Sequence, residues 1–166
     1  MLFQRINRSD PEKIFVVVKN SWSTASLTNG QVVDWDFTTD KDGVGVSKPT
    51  APAAYTTGPA GFATAGVAAE TIAAGSYGLI QVYGYHSAVR MRTMTSTGHT
   101  FHEATQPVAL GTPLASGLST GFMAEGIAAG GAAAGANCWN LHPFAFALVA
   151  TAGFTTIAQA AFIKAL

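Results

Sequence analysis

One stretch of the chain restricts its fold more than any other: residues 76–86, SYGLIQVYGYH, in which large and small side chains alternate. A period of two places successive side chains on opposite faces of an extended strand. Gly78 and Gly84 leave one face bare, so that another backbone or an aromatic ring can approach it. We predict a strand over 79–85 and a tight turn at His86–Ser87 that leads into a second strand, AVRMRTM. The other face carries the large residues Tyr77, Leu79, Gln81, Tyr83 and Tyr85.

Strand signals also dominate the N-terminal third of the chain. Residues 14–20, IFVVVKN, are β-branched and aromatic and are bounded by polar residues. Asn29-Gly30 lies between apolar runs, which is the pattern of a two-residue hairpin turn. In the following VVDWDF, alternation places Val33, Trp35 and Phe37 on one face and Asp34 and Asp36 on the other. We predict that the two aspartates form a solvated acidic edge, followed by a polar turn and a short strand in TTDKDGVGV.

A segment of the chain is repeated after 60 residues. Aligning 61–78 with 121–138 gives 8 identities in 18 positions, within the pattern GF…G-hydrophobe-AA…AAG. We interpret the repeat as one supersecondary unit used twice: a short strand, an alanine turn and a second strand, which is 79–85 in the first copy and 141–149 in the second. The alternative is an alanine helix at 67–74, but Gly66 and Gly75 limit it to a length that is unstable alone.

These patterns predict an all-β fold, a small β-barrel or sandwich, with short helical turns at most at 67–74 and 155–160. Residues 14–166 form a single domain, and residues 1–13 form an extended N-terminal arm. Three prolines and little periodicity make 47–65 an extended surface loop within that domain. The apolar C-terminal stretch from Pro143 is interrupted by glycine, glutamine and threonines, which favours buried strands over a membrane-spanning helix.

Charge is scarce and unevenly distributed. Only 11% of the 166 residues are charged and the formal net charge is zero, so long-range attraction to nucleic acid is not expected. Twelve of the 18 charged residues fall within 1–48. Depletion of charge is typical of the core of a permanent interface. We therefore expect part of the remaining surface to be covered by copies of the chain or by another protein, rather than to be an ordinary small-residue surface.

No group of residues has the spacing of a catalytic or metal site. His99 and His102 are three apart with Glu103 adjacent, whereas zinc ligands on strands are two apart and on helices four apart. The carboxylates of DWDFTTDKDG do not complete a calcium loop. Cys138 has no visible base or cationic neighbour, so we interpret it as a buried apolar residue. The sequence predicts no enzyme activity, no metal and no cofactor.

The stretch GVAAETIAAGSYGLIQVYG, the strand VVDWDF and the closing AGFTTIAQAAFIKAL resemble the capsid decoration, or cement, proteins of tailed bacteriophages. The resemblance implies a small β-barrel of the β-tulip type or a related fold. It also implies a homotrimer that sits on the exterior of the virion, is made in the host cytoplasm, and reinforces the lattice of the major capsid protein. Neither nucleic acid nor a membrane is an expected partner.

The N-terminal arm is the predicted contact segment. Its proline at position 11 pushes the preceding residue out of the helical region, so the arm should run extended into the first strand at Ile14. Its apolar side chains have no cover nearby in sequence and would dock on a neighbour, while its arginines would pair with acidic groups there. A frayed terminus is the alternative. The candidate contact residues are Leu2, Phe3, Arg5, Ile6 and Arg8.

Two other functions stay open from the sequence. One is a different virion component, such as a tail or spike protein that binds a receptor. The other is a metal-dependent β-barrel enzyme, which the histidine spacing does not favour.

Overall fold

The computed structural model describes residues 12–49, 64–92, 108–116, 124–126, 143–150 and 157–165. Within these ranges the chain forms strands and turns and no helix, which confirms the all-β prediction. The nine strands there are β1 (Lys13–Asn20), β2 (Val32–Trp35), β3 (Gly45–Ser47), β4 (Thr64–Ala68), β5 (Tyr77–Arg92), β6 (Pro113–Ser116), β7 (Ala124–Gly126), β8 (Ala145–Ala147) and β9 (Ile157–Lys164).

Strand pairing closes two rings that share β5. The first ring follows the order β1-β3-β2-β4-β5 and returns to β1. The second follows β5-β7-β6-β8-β9 and returns to β5. The pairs β1–β3 and β5–β7 are parallel and the others are antiparallel. A mixed sheet that folds back on its longest strand in this way leaves few open edges.

Two apolar clusters fill the structure, one for each ring. The first cluster consists of Val18, Leu27, Val33, Val46, Ala65, Ala68, Ile72, Ile80 and Val82. The second consists of Val32, Val67, Val89, Met91, Val108, Leu114, Phe144, Ala145, Ala147, Ala161 and Ile163. Since Val32 and Val33 belong to different clusters, β2 is covered on both faces. The pair β2–β4 is therefore a wall between the two cores.

β5 is one continuous strand of 16 residues, so the predicted turn at His86–Ser87 is wrong. The irregularity there is a bulge in the pairing with β9: His86 lies opposite Ala161 and Val89 lies opposite Gln159. Because β9 pairs on both sides of the bulge, it holds the two halves of β5 in line. A bulge of this kind bends a strand without ending it.

The turn at Asn29-Gly30 forms, but it does not join two paired strands. Gly30 has a φ of +84°, and the Gln31 amide donates to the Thr28 carbonyl at 3.1 Å. The residue before the turn, Leu27, bridges to Ile72 instead of to β2. The turn is held against the wall and β5, since the Gly30 amide donates to the carbonyl of residue 68 and its carbonyl accepts from the amide of residue 90.

The first copy of the repeat forms the predicted unit and the second does not. In the first copy, β4, a turn through 69–76 and β5 follow one another, and β4 pairs with β5. In the second copy, β7 and β8 are separated in the sheet by β6. The similar sequences therefore share short strands and not a common pairing. The alanine helix at 67–74 is excluded by the strand and turns observed there.

The boundaries of the predicted arm, loop and C-terminal strands shift slightly. β1 begins at Lys13, and residues 1–11 lie outside the described ranges. Ser47, Thr64 and Ala65 belong to strands, so the proline-rich loop is shorter than 47–65, and 50–63 also lies outside those ranges. The buried strands predicted near the C-terminus are β8 and β9. Of the short helical turn allowed at 155–160, residues 157–160 belong to β9 and residues 155–156 lie outside the described ranges. Within the described ranges, no helix has the length and apolar character needed to cross a membrane.

Candidate functional site

The most distinctive surface lies on the outer side of β1 and β5 and is apolar. Val17 of β1 faces Leu79 of β5, and Lys19 faces Tyr77, so these side chains share one face of the sheet. The exposed fraction is 59% for Val17, 65% for Tyr77 and 43% for Phe15. We call Phe15, Val17, Tyr77 and Leu79 the apolar face. Exposed apolar residues that adjoin one another in this way mark binding sites more often than isolated ones do.

β1 also directs backbone groups away from β5, beside the apolar face. The Asn20 amide donates to the Ser76 carbonyl, whereas the Lys19 amide donates to the Val44 carbonyl, both at 2.9 Å. Backbone groups alternate in direction along an antiparallel strand. Those of Phe15 and Val17 therefore point away from β5, toward the side on which β3 pairs.

β3 covers only the end of that side of β1. It pairs with Lys19 and Asn20, and no strand in the described part of the chain pairs with the same side between Lys13 and Val17. We call the outward N–H and C=O groups of Lys13, Phe15 and Val17 the β1 edge.

Aromatic side chains form a second exposed group across three strands. Tyr85 of β5 lies opposite Phe162 of β9, and Phe162 lies opposite Phe146 of β8. Tyr83 meets Phe162 edge-to-face, with ring centroids 5.2 Å apart. We call Tyr83, Tyr85, Phe146 and Phe162 the aromatic ladder. Its members are half-buried or exposed, and the Lys13 ammonium lies 6.0 Å from the Tyr85 ring centroid.

The wall between the cores contains a buried carboxylate, so the predicted solvated edge at Asp34 is wrong. Asp34 lies opposite Thr64 and is buried, and the hydroxyls of Thr64 and Ser116 donate hydrogen bonds to it. Its Oδ1 has no hydrogen-bond partner in the described ranges. Burial raises the pKa of Asp34 to about 6, against the lowering effect of the two hydroxyls. The reason is that β6 of the second ring covers a face that a single sheet would leave in water.

Asp36 lies beyond the end of β2 and does not share a site with Asp34. Its carboxylate accepts hydrogen bonds from the amides and hydroxyls of Thr38 and Thr39. Partial burial acts to raise the pKa of Asp36, but these hydrogen bonds together lower it. Asp40 likewise accepts from the Asp42 amide at 3.0 Å. These carboxylates organise the predicted polar turn.

His86 is the histidine that the structure describes, and it is buried at the β5 bulge. Its Nδ1 accepts a hydrogen bond from the Ala88 amide at 3.1 Å. Burial lowers the pKa of His86, the positive charge of Lys13 lowers it further, and a hydrogen bond to the Ala68 backbone opposes both. The neutral ring is thus built into the bulge as a structural acceptor.

The predicted contact residues Leu2, Phe3, Arg5, Ile6 and Arg8 lie outside the described ranges, as do His99, His102, Glu103 and Cys138. Among the residues that the structure does describe, no three histidine, cysteine or acidic side chains are grouped so as to hold a metal ion. The β1 edge and the aromatic ladder were not anticipated from the sequence. The signal for the ladder is the alternation YGY, which places Tyr83 and Tyr85 together, but Phe146 and Phe162 come from distant parts of the chain.

Comparison with known proteins identifies no relative. No family model matches the chain. No curated protein sequence matches it, and no solved structure does.

Proposed function

We propose that this chain is a structural protein of a tailed-bacteriophage virion, which binds the exterior of the capsid as a homotrimer and stabilises its lattice. The observation that carries the proposal is the apolar face, a group of exposed apolar side chains on a rigid two-strand support. The resemblance of residues 66–84 to decoration proteins is the basis for proposing the major capsid protein as the partner.

The energetics favour a protein partner for this face. Covering side chains such as Val17, Tyr77 and Leu79 contributes roughly 1.5–3 kcal/mol each before ordering costs. The strands that present them are already ordered in the chain, so little further backbone entropy is lost on binding. The low charge of the sequence after residue 48 also favours a surface that stays buried in a permanent interface.

In this proposal the aromatic ladder packs between copies of the chain. Aromatic residues are enriched at the centres of interfaces, and edge-to-face pairs extend readily across them. The N-terminal arm supplies a further contact: Leu2, Phe3 and Ile6 dock on a neighbour, and Arg5 and Arg8 pair with its acidic groups.

The proposal is tested with capsids that lack the chain. Purified protein is mixed with these particles, and occupancy is measured by co-sedimentation and electron microscopy. Val17→Lys is expected to lower occupancy at least tenfold without changing the oligomeric state, because a buried unpaired ammonium is costly. Leu110→Lys, at a residue that is 70% exposed and lies in the turn before β6, outside β1 and β5, is the matched control and should bind normally.

Phe146→Lys separates the two roles. It should convert trimers to monomers in light scattering, because it places a charge within the aromatic ladder. Binding at the tail instead of the capsid would favour a receptor-binding role. No binding to any part of the particle would contradict the proposed function.

A further inference from the structure

We propose that Asn29 is a site of spontaneous deamidation that closure of the first ring keeps unreactive, and that isoaspartate formed there before closure prevents the turn from docking on β5. The inference goes beyond the proposed function, since it concerns a chemical modification of the chain itself and holds whether or not the protein binds a capsid.

The chemistry follows from the pair Asn29-Gly30. The Asn29 side chain is exposed, and glycine has no Cβ to hinder attack by its own backbone nitrogen on the preceding residue. After losing its proton to hydroxide, the Gly30 nitrogen bonds to Cγ of Asn29. The Cγ–Nδ2 bond breaks, and the side-chain nitrogen takes a proton from water and leaves as ammonia. Water then opens the cyclic imide at either carbonyl, which leaves aspartate or isoaspartate at position 29.

In the folded chain the attacking nitrogen is not available. Gly30 is buried, and its amide donates to the Ala68 carbonyl at 2.9 Å. Its carbonyl accepts from the Arg90 amide at 2.8 Å, and the Gln31 carbonyl accepts from the Ala68 amide at 2.8 Å. Since Ala68 belongs to β4 and Arg90 to β5, these bonds exist only when the strands of the first ring are together. A buried, hydrogen-bonded amide is reached only in opened molecules, so the reaction requires the turn to leave β5.

The two products differ in whether the turn can return. Isoaspartate carries the main chain through the side-chain carbon and so adds an atom to the backbone between positions 29 and 30. Gly30 has no room for such a shift: its φ is +84°, and a Cβ built on it would lie 2.0 Å from the Ala88 carbonyl oxygen. Aspartate keeps the ordinary backbone, and its side chain would occupy the exposed position of Asn29. Isoaspartate should therefore be excluded from the closed ring and aspartate accepted.

The first experiment compares the rate of deamidation in folded and unfolded protein. The full-length chain is incubated at neutral pH in buffer and in guanidinium chloride above its unfolding midpoint, and modification of Asn29 is followed by peptide mapping and mass spectrometry. The folded chain should react at least about tenfold more slowly. The peptide acetyl-Leu-Thr-Asn-Gly-Gln-Val-amide, which copies residues 27–32, is the matched control and should react at similar rates in both solutions.

The second experiment asks which product folds. The deamidated mixture is returned to the unfolding midpoint of the natural chain, and a pulse of protease removes unfolded molecules. Enzymatic methylation of isoaspartate distinguishes the products. In the surviving protein the ratio of isoaspartate to aspartate should be at least about tenfold lower than in the starting mixture. The variant Asn29→Asp should unfold at the same denaturant concentration as the natural chain.

Several results would overturn the inference. Equal deamidation in buffer and in denaturant would refute shielding by the first ring, and so would a denaturant effect of the same size on the peptide. An unchanged ratio of products after the protease pulse would refute the effect of isoaspartate on docking. Loss of both products, together with a destabilised Asn29→Asp variant, would assign the effect to the new charge instead of the backbone.

Discussion

Replacing Asp34 by asparagine should remove the loss of stability with rising pH that the buried carboxylate imposes. Burial raises the pKa of Asp34 to about 6 from the ordinary 3.8. The folded state therefore holds more protons than the unfolded state between these values, and stability falls as pH rises through this window. A difference of about 2 pKa units corresponds to about 3 kcal/mol at neutral pH. Asparagine has no charge to bury and avoids this cost.

The quantity to measure is the difference in unfolding free energy between Asp34→Asn and the natural chain. Urea titrations at several values from about pH 4 to pH 7.5 give it, with the fluorescence of Trp22 and Trp35 as the signal, since both pack against the first cluster. We expect the difference to increase by about 2.5 kcal/mol in favour of the variant across this range, because part of the effect has already developed at pH 4. His86 has a lowered pKa and so stabilises the fold increasingly as pH rises, but it is present in both chains and cancels.

Asp36→Asn is the matched control because its sign is opposite. Hydrogen bonds lower the pKa of Asp36, so its contribution to stability is present above pH 3.8 and is lost as pH falls below it. That variant should lose stability relative to the natural chain as pH rises through about 3.8, and the difference should change little from pH 4 to pH 7.5. A difference for Asp34→Asn that stays constant from pH 4 to pH 7.5 would refute the burial of the Asp34 carboxyl in the wall between the two cores.

Further predictions concern the backbone, the buried amide, helix content and metal. Gly84→Ala should destabilise the fold by about 2 kcal/mol or more in urea titrations, because φ is +99° and the new Cβ would lie 1.9 Å from the Glu12 carbonyl oxygen. Gly75→Ala, with φ of +74° and nothing within 4 Å, should cost less, and equal losses would contradict the role of the collision. Asn20→Ala should cost about 1–3 kcal/mol, since Nδ2 donates to two carbonyls and Oδ1 accepts from the Trp22 amide. Far-UV circular dichroism should show less than about a third helix. Dialysis against a chelator should leave the melting temperature unchanged, and retained stoichiometric zinc or calcium would contradict the absence of a metal.

Local patterns predicted the strands well because alternation is a local property. β1, the first half of β5 and the turn at Asp40–Gly43 are all encoded by adjacent residues. The continuation of β5 past His86–Ser87 is not, because it depends on β9, whose residues lie about 70 positions further along the chain. A polar His-Ser pair favours a turn in isolation, and the distant partner converts it to a bulge.

The faces of a strand are predictable, but which face is covered is not. Alternation correctly separated Val33 from Asp34, yet it could not show that a second ring covers the side of Asp34. The same limit applies to the candidate site. Exposed apolar residues in β1 and β5 are visible in the sequence, but the β1 edge exists only because β3 pairs with two residues of β1. Incomplete pairing of this kind has no local signature.

The sharing of β5 between two rings has a consequence for how the chain is made. All strands of the first ring lie within residues 13–92, whereas the second ring needs strands as late as 157–164. A growing chain can therefore complete the first ring while the C-terminal half of β5, with Val89 and Met91, still lacks its cover. Non-local strand pairing is slow, and exposed strand edges aggregate in the interval. Synthesis of β9, the latest strand of the second ring, thus determines when these edges are covered, and aggregation at high expression levels should arise before that step.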